Sequence, residues 1–179
     1  MTTSEQPVIR RPTAAEVPDL PEIETESHRL YDLVGMSLVA AGNEPDLAGL
    51  QTAHAAGNLL IADCDGVVAG FIECRPIDET LYVAGVSIRS RFGRRGIGAM
   101  LLAAAECLAH AQDLTRLSLT TFRDVPWNAP YYQRLGWRGL AEAATPSGLA
   151  AIRARQREAG YERWPRVTMI KNLPDTQRP

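Results

Sequence analysis

Lysine is almost absent: Lys171 is the one lysine among 19 basic residues, so arginine carries the positive charge. With 21 acidic residues the formal net charge is −2, a balance unlike that of a general nucleic-acid binder. Aromatic residues are scarce, at 6%. None interleaves Arg153, Arg155 and Arg157, so these arginines are expected to face solvent rather than form a nucleic-acid patch. Only three cysteines occur, Cys64, Cys74 and Cys107, an odd count with no metal-ligand spacing. No disulfide framework and no metal are expected, and the usage fits a reducing cytoplasm. The start, "MTTSEQPVIRRP", has no apolar segment of the kind a signal peptide needs. No apolar run is long enough to span a bilayer, so no membrane partner is expected. Internal repeats and low-complexity segments are missing too.

What is present suits a folded domain. Hydrophobic residues make up 45% of 179, with 12 prolines and 14 glycines. The length fits one domain over residues 1–179, its core roughly 8–173, with loose ends at 1–6 and 174–179. "VIRRPT" is expected to be a short first strand. Thr13 to Gly42 carries helical material that Pro18 and Pro21 should interrupt. "EPDLAGLQTAHAAG" reads as a helix stopped by Gly57. Residues 58–88 read as three strands, with turns at Asp65-Gly66 and at Pro76 to Glu79. From Gly96 to about Gln112 the apolar positions Ile97, Met100, Leu101, Ala104, Ala105 and Leu108 recur at helical spacing. "RLSLTTF" is a strand, "NAPYYQRLG" a short helix closed by Gly136. "WRGLAE", a helix from Pro146 to Ala159 and the strand "RVTMIKNL" follow. Helices, a meander and a strand–helix–strand unit predict a mixed α/β domain around one sheet.

The densest chemical signal is "RSRFGRRGIGAMLL", where arginines and a Gly-x-Gly stand between a strand and a helix. The first turn of a helix leaves backbone N–H groups without partners and carries partial positive charge. Gly96 and Gly98 keep side chains away from those donors, while Arg94 and Arg95 add charge-assisted hydrogen bonds. The pattern predicts a phosphate or pyrophosphate site. It is not a Walker loop, because no Gly-Lys-Ser/Thr triplet is present. A dinucleotide fingerprint fails as well: Leu101 holds the third glycine position and no acid ends the next strand.

"VSIRSRFGRRGIGAMLL" resembles the acetyl-CoA motif of the GCN5-related N-acetyltransferases, the GNAT family. "WNAPYYQRLGW" resembles that family's second signature, an Asn followed by Tyr-x-x-x-Gly-Phe. The resemblance implies a mostly antiparallel twisted sheet of about six or seven strands flanked by helices. It implies acetyl-CoA as co-substrate, a primary amine as acceptor, and a monomer or homodimer. Val86, Ser87 and Ile88 would pair with the pantetheine arm as an added strand, one backbone N–H holding the acetyl carbonyl. Arg94, Arg95, Gly96, Ile97, Gly98 and Ala99 would cradle the pyrophosphate. Asn128 would contact the pantetheine arm, and its amide could also cap the short helix. Tyr132 would sit near the thioester sulfur.

The chemistry agrees. Acyl transfer passes through a tetrahedral oxyanion that a fixed N–H stabilises. The leaving thiolate needs a proton, and a phenol with a reference pKa of ~10 supplies one. The sequence departs from the family pattern at three places. Gly93 holds a Gln/Arg slot, Ser90 stands where proline is common, and the strand before the motif has Ala84 and Gly85 where a glutamate base often stands. The amine proton then leaves through water, or through Tyr82, Glu73 or Glu79. Glu22, Glu24, Glu26 and Asp32 could favour a cationic amine but are expected on a solvated face, and His28 could relay a proton but is expected at the surface. The other reading is an acyl-CoA-binding sensor or scaffold without turnover.

Overall fold

Short turns and alternating apolar positions build the sheet from the middle outwards. The computed structural model describes residues 6–42 and 46–174, so most of the two expected loose ends, and the start of the expected helix at Glu44, lie outside the described residues. The strands are β1 Val8–Arg10, β2 Leu59–Cys64, β3 Val67–Ile77, β4 Thr80–Ile88, β5 Arg116–Phe122, β6 Arg138–Leu140 and β7 Arg166–Asn172. They form one seven-stranded sheet in the order β1-β2-β3-β4-β5-β7-β6, as the mixed α/β reading predicts. The helices are α1 Leu20–His28, α2 Ser37–Ala40, α3 Leu47–Ala55, α4 Ile97–His110, α5 Ala129–Arg134 and α6 Ser147–Glu158. No helix among the described residues is long and apolar enough to cross a membrane.

The chain divides into two compact units. One comprises Met1–Cys74 and Gly85–Ala105, the other Arg75–Ala84 and Glu106–Pro179, the divide falling within β3, β4 and α4.

In the first unit, Asp65 and Gly66 turn β2 into β3 with φ of 54° and 80°, the left-handed pair that Asp-Gly favours in tight hairpins. Antiparallel pairing sets Leu59 opposite Glu73 and Ile61 opposite Phe71. Ile61 and Phe71 then meet Val17, Leu20 and Ile23 and, from α3, Leu50 and Ala53 in one buried cluster. Pro18 and Pro21 do not interrupt the helical region. Pro18 lies in a tight helical turn, and Pro21 occupies the first turn of α1, where a missing N–H costs nothing. Helix α3 starts later than expected, at Leu47, because the Asp46 carboxylate caps it by accepting from the Gly49 N–H at 2.8 Å.

In the second unit, β5 and β7 pair along their whole length, from Arg116↔Asn172 to Phe122↔Arg166. Strand β6 pairs on the other side of β7 through Arg138↔Ile170. Strand β4 joins β5 in parallel, with the register pairs Leu81↔Leu117 and Tyr82↔Ser118. The expected turn at Pro76 is shorter than read: Pro76 lies inside β3, and Asp78 with Glu79 makes the bend. Pro76 is exposed there, which a strand tolerates near its end. Helix α6 is seated by Leu149 and Ile152, which pack on Tyr82.

Candidate active site

In the first unit, Ser90–Phe92 forms a tight turn after β4, and Arg94 and Gly96 then take φ of 61° and 77°. Left-handed residues interleaved with ordinary ones swing successive N–H groups to one side, the geometry of an anion-binding concavity. Helix α4 begins at Ile97, and the Met100 N–H bonds the Gly96 carbonyl at 3.1 Å. The N–H groups of Ile97, Gly98 and Ala99 precede that bond and have no acceptor within the helix. Ile97 is buried and anchors the turn, while Arg94, Arg95 and Gly96 are exposed. The other arginines of the motif have separate duties. Arg89 bridges Glu22 and Glu26, each at 3.3 Å, and Arg91 lies over the Phe92 ring at 4.9 Å, a ring that Arg95 also covers at 5.4 Å.

Strand β4 ends close against β3. The Arg89 N–H donates to the Ala69 carbonyl of β3 at 2.8 Å. The Ser87 carbonyl also faces β3: a Cβ on Gly70 would lie 2.5 Å from it, so glycine is required there. Ser87 is buried at 5% exposure, its Oγ 3.2 Å from Ser27 Oγ of α1. Of the three expected strand residues, the middle one, Ser87, anchors α1.

In the second unit, Asn128 and Tyr132 come together on α5. The Asn128 carbonyl accepts from Tyr132 N–H at 3.0 Å. The Asn128 side chain is buried but makes no capping bond, contrary to the expected amide cap. Tyr132 is half-buried, its ring edge-on to Tyr131 at 5.6 Å and to Trp137 at 5.7 Å. Gly136, at φ 85°, closes the helix as the sequence predicts.

The profile of the acetyltransferase (GNAT) family matches residues 20–137. The chain belongs to the GNAT acetyltransferase family. Solved structures share the fold. A PaiA N-acetyltransferase from Thermoplasma acidophilum in complex with coenzyme A is 17% identical, with 94% of this chain and 100% of that one covered and a TM-score of 0.67. A GNAT acetyltransferase from Staphylococcus aureus is 14% identical over 94% and 99% of the two chains, with a TM-score of 0.71. A ribosomal-protein-alanine N-acetyltransferase from Brucella melitensis is 18% identical over 93% and 99%, with a TM-score of 0.66.

For a GNAT protein without an acid at Ala84 or Gly85, the remaining acids matter. Glu79 sits on the β3–β4 turn with its side chain 86% exposed and pairs with Arg116 at 2.8 Å, a surface position. Tyr82 is buried, its hydroxyl 3.1 Å from Thr120 Oγ1. Glu73 is buried on β3. The acids of α1 do not share the one solvated face expected of them. Glu22 and Glu26 turn outwards toward Arg89. Burial alone raises the Glu26 carboxyl, but bonds from Ser90 and Arg89 outweigh it and hold the group below its ordinary range. Glu24 turns inwards, and burial, then the charges of Glu73 and Asp46, push its carboxyl up. His28 is half-buried rather than at the surface, and burial lowers its imidazole. The sequence names Glu24 only among acids that could steer a cationic amine, not as a buried acid set apart from its neighbours. The available signal was its place in the stripe Leu20, Ile23, Glu24, Ser27.

Proposed function

We propose that this GNAT protein transfers the acetyl group of acetyl-CoA to a primary amine of a small molecule by direct attack. The observation that carries this reading is the β4–α4 segment: the end of β4, then the first-turn N–H groups of Ile97, Gly98 and Ala99 beside the exposed Arg94 and Arg95. The pyrophosphate is held by those donors and the two guanidinium groups. The pantetheine arm lies along the β4 edge, with Asn128 as a further contact. A β4 N–H takes the acetyl carbonyl and stabilises the oxyanion as it forms.

The neutral amine attacks the thioester carbon. The tetrahedral intermediate expels the thiolate, which takes its proton from the Tyr132 hydroxyl, and solvent reprotonates the phenolate. The proton on the new amide nitrogen leaves through Glu24. A carboxylate whose pKa has been raised holds that proton better than an ordinary one. Glu73 acts by its charge on Glu24. This inward acid favours turnover over a purely binding role and takes the place of the water route that the empty β4 position suggests.

The test is acetyl-CoA consumption over a panel of polyamines, aminoglycosides, amino acids and peptides. Turnover with one class is expected, and Tyr132→Phe should lower its kcat by about 10²-fold with acetyl-CoA affinity held. Acetyl-CoA binding without turnover on any amine would favour the sensor or scaffold instead.

A further inference from the structure

Ser90 stands where the GNAT signature commonly has proline, and serine brings what proline lacks, a backbone N–H. The backbone itself suits proline. Arg89, the residue before, has φ −58° and ψ 136°, the extended conformation that a following proline favours. Ser90 then opens the tight turn Ser90–Phe92, a first-turn position where a missing N–H is ordinarily harmless. In this chain that N–H is in use. It donates to Oε1 of Glu26 on α1 at 2.7 Å, and the Ser90 side chain bonds the same carboxylate.

Glu26 is carried by a fixed element. Leu20 and Ile23 seat α1 in the core. Oε2 of Glu26 accepts from Arg89 Nη1 at 3.3 Å, Arg89 Nη2 reaches Glu22 at 3.3 Å, and Ser27 Oγ lies 3.2 Å from Ser87 Oγ. Helix α1 thus grips Ser87, Arg89 and Ser90 in turn. The hold is passed along the loop: Phe92 N–H donates to Arg89 O at 2.9 Å and Gly93 N–H to Ser90 O at 3.1 Å, just before the left-handed Arg94. An acid at the foot of an anion site needs a reason, because by charge alone it repels the anion.

We propose that Glu26 is a positioning residue for the cofactor: by holding the Ser90 N–H it fixes the β4–α4 loop in the shape that receives the pyrophosphate, in place of a proline ring. The identity of the cofactor rests on the acetyl-transfer reading. Arg89 offsets the charge of Glu26, which leaves Arg94 and Arg95 to the ligand. A site held from a seated helix is set more tightly than a loop could set itself.

Calorimetric titration of acetyl-CoA into the wild type, Glu26→Ala, Ser90→Pro and the double variant tests this. The Glu26 side chain is 28% exposed, so its truncation leaves the core intact. Glu26→Ala should weaken binding about tenfold, the size of one lost hydrogen bond to a charged group, whereas charge alone predicts tighter binding. Proline supplies the fixed turn without Glu26, so Glu26→Ala/Ser90→Pro should recover most of the lost affinity. Glu26→Gln, whose amide oxygen still accepts from the Ser90 N–H, should fall between wild type and Glu26→Ala. Glu22→Gln removes a charge from Arg89 without touching Ser90 and should not weaken binding. Equal or tighter binding by Glu26→Ala, or a double variant no better than Glu26→Ala, overturns the proposal. Amide hydrogen exchange reads the same anchor without ligand. The Phe92 and Gly93 N–H groups should exchange faster in Glu26→Ala and return toward the wild-type rate in the double variant; unchanged exchange in Glu26→Ala refutes the anchor. Those exchange shifts in a wild type and variants that bind no acetyl-CoA would support the anchor and count against the acetyl-transfer reading instead.

Discussion

Helices α1 and α6 are written to the same plan with opposite charge. In α1 the stripe is Leu20, Ile23, Glu24 and Ser27; in α6 it is Leu149, Ile152, Arg153 and Gln156. Both have the spacing i, i+3, i+4, i+7, which is one face of a helix. In each, Leu and Ile are buried, the charge next to Ile is drawn in with them, and the last residue reaches a hydroxyl of the sheet: Ser27 that of Ser87, Gln156 that of Thr120. The flanking charges Glu22 and Arg155 stay exposed. Three like charges two residues apart look like a solvated run in either helix. What separates the inward charge from its neighbours is its register with the apolar stripe. A charge held on such a stripe either costs stability or does chemistry.

The largest effects should come from the apolar half of the plan. Ile23→Ala, at a site 1% exposed, should cost about 2–5 kcal/mol of unfolding free energy, and Ile152→Ala, 8% exposed, should fall at the low end of that range. Denaturant titration reads both. Losses below about 0.5 kcal/mol would show that the stripes do not seat the helices.

Glu24→Gln sharpens the comparison on its chemical side. With the base gone, kcat should fall about 10²-fold. In the wild type, activity should rise with pH through a value above the ordinary glutamate range, and the variant should lose that limb. Stability should move the other way. The raised carboxyl pKa in the folded state means that Glu24 contributes full stability below its unfolded pKa and loses it as pH climbs through the raised folded value. At neutral pH the glutamine variant should therefore melt higher than the wild type. A lower Tm with unchanged kcat would make Glu24 a structural residue.

The smallest effects belong to the outward charges. Glu22→Gln and Arg155→Gln should each change stability by less than about 0.5 kcal/mol. A larger loss at either would break the distinction between inward and outward charge.

Local signals made much of the fold legible. Alternation set β5 and β7, Asp-Gly set the β2–β3 turn, and Gly57 and Gly136 closed their helices where read. The anion site was legible for the same reason, since it depends on glycine, arginine and a helix start that are contiguous in sequence. Pro76 misled because proline usually marks a turn, whereas an exposed strand end accepts it. Glu24 and Arg153 were legible only as charges in register with an apolar stripe, and Gly70 not at all, because what each meets lies far along the chain. Glu24 is pushed up by burial and then by the charge of Glu73, Arg153 is paired with Glu162, and Gly70 is pressed by the Ser87 carbonyl.

Everything above turns on acetyl-CoA being held at the start of α4, and calorimetric titration of acetyl-CoA into the wild type and Gly98→Trp tests that most directly. The wild type should bind, and the folded variant, with an indole over the N–H groups of the first turn, should not. Equal affinity in the two proteins would contradict the assignment.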